Sequence, residues 1–152
     1  MPLDLYVFPS ATEKNIEIGI ENRIWAIAKP PSVRMQRQYE TKVRKMPVGA
    51  HGIFYCKKWF TAPFIVASLP NPCVTESSLW KGEFFLPFHI HPLSEGWPWI
   101  STTDIRRSLP SLASVNGNWT ERILVRPNLT FIPSKVTNRD WEILVQALAS
   151  IE

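Results

Sequence analysis

The 152-residue chain predicts an α+β fold, a small and strongly curved β-sheet or barrel of about six strands flanked by helices. Three observations predict it. Short runs rich in β-branched and aromatic residues recur between turn residues. Fourteen prolines against six glycines cut the chain into brief segments joined by stiff turns. The clearest stripe of helical period comes at the C-terminal end, after the strand-like runs. A hydrophobic content of 45% with 20% charged residues gives enough apolar surface for one core, so residues 1–152 are expected to form a single domain.

The elements follow in order. Leu3 to Phe8 alternates and closes at Pro9, a first strand, and Thr12 to Ile20 forms a short helix. Arg23 to Lys29 is a second strand, stopped by Pro30-Pro31. Arg34 to Met46 lacks Gly and Pro and is rich in long side chains, hence helical; it carries Arg34, Arg37, Lys42, Arg44 and Lys45 against Glu40 alone. Pro47-Val48-Gly49 turns the chain into a strand from His51 to Lys57, and the apolar run Thr61 to Leu69 pairs with it through a connection at Lys58-Trp59-Phe60. A polar loop from Pro70 to Ser78 precedes a strand from Glu83 to His91, which leads to a Trp97-Pro98-Trp99 loop. Thr102 or Thr103 caps a helix through Arg107, and 123–125 and 129–132 are short strands. The last helix has Thr137 and Asp140 in capping-box spacing, with Trp141, Leu144, Val145 and Leu148 as its apolar stripe.

Composition excludes several classes. The longest apolar runs fall short of a membrane span, and Met1-Pro2-Leu3-Asp4 lacks the basic start and hydrophobic stretch of a secretion signal, so a cytoplasmic protein is expected. Cys56 and Cys73 form no Cys-x-x-Cys pair and are expected as buried thiols. Acyl-transfer, phosphate-cradling and zinc-protease motifs are all lacking, so no enzyme and no cofactor are expected. His89-x-His91 places two imidazoles on one face of a strand, where a third ligand from His51, Cys56, Cys73 or Glu95 would make a metal site; that spacing is not a recognisable one, so no metal is assigned.

Seven tryptophans sit in a chain of formal charge +4. Flat apolar plates beside positive charge suit a nucleobase attached to phosphate, since the base stacks on an indole while lysine and arginine draw the backbone. Trp80-Lys81-Gly82 places such a ring and a cation on a turn just ahead of a strand. Trp25, flanked by Ile24 and Ile27, suits a core as well as a ligand wall. Trp59 lies between lysines and Phe60, as a third wall or a lid on the sheet edge; Trp97 and Trp99 suit a rim or a packed turn, and Trp119 and Trp141 are assigned to structure.

Taken in this order the segments resemble the PUA-like superfamily, and within it the EVE and YTH families that bind modified bases. Ile24-Trp25-Ala26 looks like the YTH strand whose tryptophan forms one wall of an aromatic cage, and Trp80-Lys81-Gly82-Glu83-Phe84 with Phe88-His89-Ile90 looks like the segment that bears another. Leu124-Val125-Arg126-Pro127-Asn128-Leu129, Ile132-Pro133 and Asp140-Trp141 follow the EVE ending. The chain departs from the pattern at Gly49-Ala50, where Gly-Asp is common, and at Ile27-Ala28-Lys29-Pro30, which replaces the Asn-Tyr-Gln that follows the EVE tryptophan.

The resemblance implies a reader that rotates a base, N6-methyladenine ahead of 5-methylcytosine, into a cage of Trp25, Trp80 and Trp59. Lys29, Arg34, Arg37, Lys42, Lys58 and Lys81 are expected on the nucleic-acid backbone. Modified DNA is the first expectation, with the chain as the target-reading part of a methyl-specific restriction system and a motor or nuclease subunit as partner. A YTH-like reader of N6-methyladenine in RNA is the alternative, and a small metal-dependent enzyme using His89 and His91 is the further one. A peptide-docking domain is a third class. One methyl in an apolar niche gains roughly 0.8 kcal/mol by transfer, so selectivity on the order of tenfold to a hundredfold is expected.

Overall fold

A computed structural model describes residues 5–93, 98–102, 105, 108–110 and 138–149. Its elements are β1 (Leu5–Pro9), α1 (Glu13–Asn22), β2 (Ile24–Ala28), α2 (Val33–Val43), β3 (His51–Cys56), β4 (Trp59–Val66), β5 (Thr75–Glu76), β6 (Phe84–Pro92), β7 (Trp99–Ser101) and α3 (Asn138–Ala149). The expected α+β class holds: the described residues form a seven-stranded mixed sheet in the order β1-β3-β4-β6-β2, with β5 also paired to β6 and β7 also paired to β4. The strands expected at 123–125 and 129–132, the Thr137 cap, most of 103–107 and Trp97, Trp119 and Glu95 lie outside the described residues.

Local chemistry accounts for the boundaries. Thr12 caps α1 by accepting from the Asn15 N–H, and Ser32 caps α2 by accepting from the Met35 N–H. Arg23 ends α1 in the left-handed region at φ 54°, sending its N–H back to the carbonyls of Gly19 and Ile20.

The sheet curls at two bulges. Between β3 and β4 the register slips across Gly52 and Phe54, where Ala62 and Pro63 oppose one residue; between β2 and β6 it slips across Trp25 and Ile27, where Leu86 and Pro87 oppose Ala26. Ala62 and Leu86 both stand at positive φ, 52° and 58°, and each precedes a proline. A proline has no N–H for the ladder, so it is tolerated where the ladder is already interrupted.

Alternation along β1 divides the core between the two faces. Tyr6 and Phe8 join Trp25, Phe54, Phe64, Trp80, Phe88 and the buried residues of α1 on one side, whereas Leu5 and Val7 join Ile53, Phe60, Trp141, Leu144 and Leu148 on the other. The stripe read for the last helix is real, with Trp141, Leu144 and Leu148 buried.

Three expectations are corrected. The connection placed at Lys58-Trp59-Phe60 is only Lys57-Lys58, because Trp59 and Phe60 already pair with Cys56 and Tyr55. Trp99, read as loop, begins β7 and lies opposite Thr61. Cys56 is buried, but Cys73 is exposed in a loop where its N–H donates to Asn71 Oδ1. Among the described residues no helix is long and apolar enough to cross a membrane.

Candidate functional site

The sheet path ends on β1 at one side and β2 at the other, and a cavity of about 290 Å3 opens between these two edges. Phe8, Pro9, Ser10 and Ala11 line it from β1 and the turn beyond. Trp25 to Ala28 line it from β2, Asn15 from α1, Tyr39 from α2 and Phe84 from β6. Rings from four separate elements therefore face one space.

Trp25 is held from behind. Its indole stands 4.6 Å from Phe54 and 5.5 Å from Trp80, the latter with 76° between ring planes. Both are edge-to-face geometries, and they leave the indole only 5% exposed, as part of the wall of the cavity. Trp80 in turn lies 5.0 Å from Phe84 and donates its Nε1–H to the Asn15 carbonyl at 2.9 Å, across 65 positions of sequence.

The polar groups at the cavity are few and directed. Asn15 is fixed at both backbone ends, its N–H on Thr12 and its carbonyl on Trp80, while its carboxamide makes no hydrogen bond among the described residues. Ile90 N–H donates to Arg23 carbonyl and Lys29 N–H to Glu83 carbonyl, so residues 23, 25, 27 and 29 turn their backbone groups toward β6. Strand alternation then points the backbone N–H and carbonyl of Ala26 and Ala28 to the opposite edge, where the cavity lies. An unsatisfied strand edge and a free carboxamide provide donors and acceptors at fixed spacing for the rim of a flat heterocycle.

Cations flank the opening unequally. Lys42 Nζ stands 5.3 Å from the Tyr39 ring centroid, and burial pushes the Tyr39 phenol above its ordinary value. Lys29 follows Ala28 directly and reaches Thr75 Oγ1 at 3.5 Å and Glu83 at 4.0 Å. Lys81 is exposed on the turn after Trp80. Arg34 and Arg37 are exposed, and helical spacing puts both on the side of α2 turned away from Tyr39.

Of the three expected cage residues, Trp25 alone lines the cavity. Trp80 is 4% exposed and packs behind Trp25; its polar neighbours suggested the surface, but a paired indole N–H lets the ring sink into the core. Trp59 is 43% exposed on the β3–β4 hairpin, next to Lys58, outside the lining. Phe8, Asn15, Tyr39 and Phe84 were missed. Tyr39 had a signal, since Tyr39, Val43 and Met46 repeat at helical spacing on the inner side of the basic helix. His89 and His91 are both exposed on β6, and no group of three His, Cys, Asp or Glu that could hold a metal occurs among the described residues.

No protein-family model matches the chain, and no curated protein matches it. Solved structures do. The Pho92 YTH domain in complex with N6-methyladenosine superposes with a TM-score of 0.63 at 13% identity, covering 99% of this chain and 85% of that one. The YTH domain of Zygosaccharomyces rouxii MRB1, in complex with N6-methyladenosine RNA, gives 0.60 at 9% identity over 99% and 87%. The Toxoplasma CPSF4 YTH domain, in complex with an m6A-modified RNA, gives 0.55 at 15% identity over 97% and 91%. A curled mixed sheet with α1 and α2 against one face and α3 against the other, matched over nearly its whole length, gives this chain the fold of the YTH domain.

Proposed function

We propose that this chain is a reader that takes one unpaired N6-methyladenine of an RNA strand into the cavity between β1 and β2. The observation that carries the reading is Trp25, a ring braced from behind by Phe54 and Trp80 with its front on the cavity. A volume of about 290 Å3 lies at the small end of ligand cavities, enough for one base and too little for a nucleotide pair. Stacking on Trp25 supplies about 1–3 kcal/mol, against an unstacking cost of a few kcal/mol that is least for a base already single-stranded. Asn15 and the free edge of Ala26 and Ala28 meet the polar rim of the purine, and the apolar rings of Phe8, Tyr39 and Phe84 leave the methyl a dry surface. Lys42 and Lys29 are the cations best placed for the flanking phosphates.

RNA is placed ahead of DNA because several of the similar structures are complexes with RNA. Modified DNA, and with it a restriction partner, has no comparable support. Among the described residues the lining has one carboxamide, one phenol and one hydroxyl and no carboxylate, imidazole or thiol, which supports reading the cavity as a binding site.

The test is a binding comparison across matched RNA and DNA oligonucleotides carrying adenine, N6-methyladenine, cytosine or 5-methylcytosine. Trp25 is itself only 5% exposed, so the variant is Trp25→Leu, which keeps apolar bulk in the core. Preference for N6-methyladenine RNA in the wild type, lost in Trp25→Leu with the circular dichroism spectrum retained, is the expected result. Equal binding of all strands by the wild type would refute the reading. Stronger binding to methylated DNA would restore the restriction-type role.

A further inference from the structure

The turn between β3 and β4 consists of Lys57 and Lys58 alone, with Cys56 and Trp59 paired across it. Both lysines adopt positive φ, 48° and 71°, the conformation of a two-residue hairpin that Asn-Gly fills with least strain. Two long cationic side chains stand where folding favours a small residue. The tip is also clamped. Lys58 carbonyl accepts from both the N–H and the hydroxyl of Thr102 at 2.9 Å each, and Thr102 is fully buried.

Beside this rigid cationic tip stands Trp59, 43% exposed, the one aromatic side chain among the exposed large hydrophobic residues described. Trp59 lies opposite Ser101 and Thr61 opposite Trp99 in the β4–β7 ladder, so Trp59 and Trp99 are diagonal neighbours on one face of the sheet. Neither lysine takes part in an ion pair among the described residues. The hairpin also leads away from the rim of the cavity: Ser10, which lines it, donates its N–H to the carbonyl of Tyr55, two residues before Lys57.

We infer that the β3–β4 hairpin is a second docking point for single-stranded nucleic acid, with Trp59 stacking an unpaired base that flanks the captured one while Lys57 and Lys58 hold its phosphates. Stacking on an exposed indole is tolerant of base identity, so the hairpin adds affinity and leaves the preference for the modified base to the cavity. This inference rests on the reading of the chain as a nucleic-acid binder.

The experiment measures affinity for the free N6-methyladenosine nucleoside and for N6-methyladenosine oligoribonucleotides of three and nine residues, modified and unmodified, at two salt concentrations. In the wild type the longer strand binds more tightly than the shorter. Trp59→Ala loses that gain by about tenfold or more, Trp59→Tyr keeps most of it, and the nucleoside binds all three alike. Lys57→Asn with Lys58→Gly raises the melting temperature by relieving the turn, yet weakens the long strand and lowers its salt slope by about 0.7 for each phosphate no longer neutralised. Unchanged long-strand affinity and salt slope in both variants, with methyl preference intact, would overturn the hairpin and leave the cavity reading standing. The reverse pattern, loss at the hairpin in a protein with no methyl preference, would uphold the hairpin and sink the cavity reading. A wild type that binds no strand at all overturns both.

Discussion

Gly19 lies directly against the indole of Trp25: a methyl group built on its Cα would stand 2.8 Å from Trp25 Cε3 and 3.0 Å from the carbonyl oxygen of Ile24. The cavity's principal wall is thus seated on the backbone of α1. Gly19→Ala sets two effects against each other. Helix propensity favours alanine by roughly 0.5–1 kcal/mol, whereas overpacking against a ring and a backbone carbonyl costs about 1–3 kcal/mol. Neither neighbour is the end of a flexible side chain, so overpacking wins. We expect a lower melting temperature and weaker binding of the modified base, both checked on the purified variant.

Trp80 separates packing from recognition. Trp80→Ala removes a fully packed ring and is expected to cost about 3–5 kcal/mol, a large share of the roughly 5–15 kcal/mol that holds a domain together. Trp80→Phe keeps a ring behind Trp25 and leaves the Asn15 carbonyl without its indole donor, at about 1 kcal/mol. Urea unfolding of the two variants should show this order. A Trp80→Ala protein as stable as the wild type would mean that the ring is no part of the core.

The cations should divide by position. Lys42→Ala and Lys29→Ala are each expected to reduce the slope of log affinity against log salt by about 0.7 on a single strand. Arg34→Ala and Arg37→Ala, on the outer side of α2, should change it by less. Titration at four or five salt concentrations distinguishes the pairs, and equal losses at all four positions would place the strand across the outer face of the helix.

Stability should soften in mild acid because of His51. Its Nδ1 is buried without a hydrogen-bond partner among the described residues, its ring stands 5.4 Å from Trp141, and burial pulls the imidazole below its ordinary value of 6.5. A base whose folded-state value is depressed binds more protons when unfolded. Its contribution is therefore complete above about 6.5 and falls as pH drops through that value toward the lower folded one. The Glu76 carboxyl is held below its usual 4.5 by the Ser78 hydroxyl, so any loss of stability from that group begins in more acid solution. Melting temperatures between pH 7.5 and 5 should decline in the wild type and decline less in His51→Gln.

Much of the scaffold was legible in sequence because it follows from short-range rules. Thr12 and Ser32 cap helices where a hydroxyl precedes the first turn, and Trp141, Leu144 and Leu148 repeat at the helical period. Trp25 was legible as a strand residue whose apolar flanks pointed to the core, and only the family resemblance pointed to it as a ligand wall. Trp80 was misjudged because its burial depends on a carbonyl 65 positions away, which no local pattern encodes. Asn15 was missed for the same reason, since it comes to line the cavity only when α1 folds over the edge of β2, whereas Tyr39 carried a local signal in the inner stripe it shares with Val43 and Met46. Trp59 and Trp99 were read apart, one as a connection and one as a loop, because the ladder that aligns them joins residues some forty positions apart.

The gap between β1 and β2 has a mechanical consequence. These two strands are the terminal rungs of the main sheet path, joined to each other through three intervening strands and bordered by a shared void. An occupant of that void touches both, and so acts as the stave that completes an unfinished cask. Tightness of grip and rigidity of the whole shell then become a single quantity, and a loosened occupant would be felt as slackness in strands that never touch it.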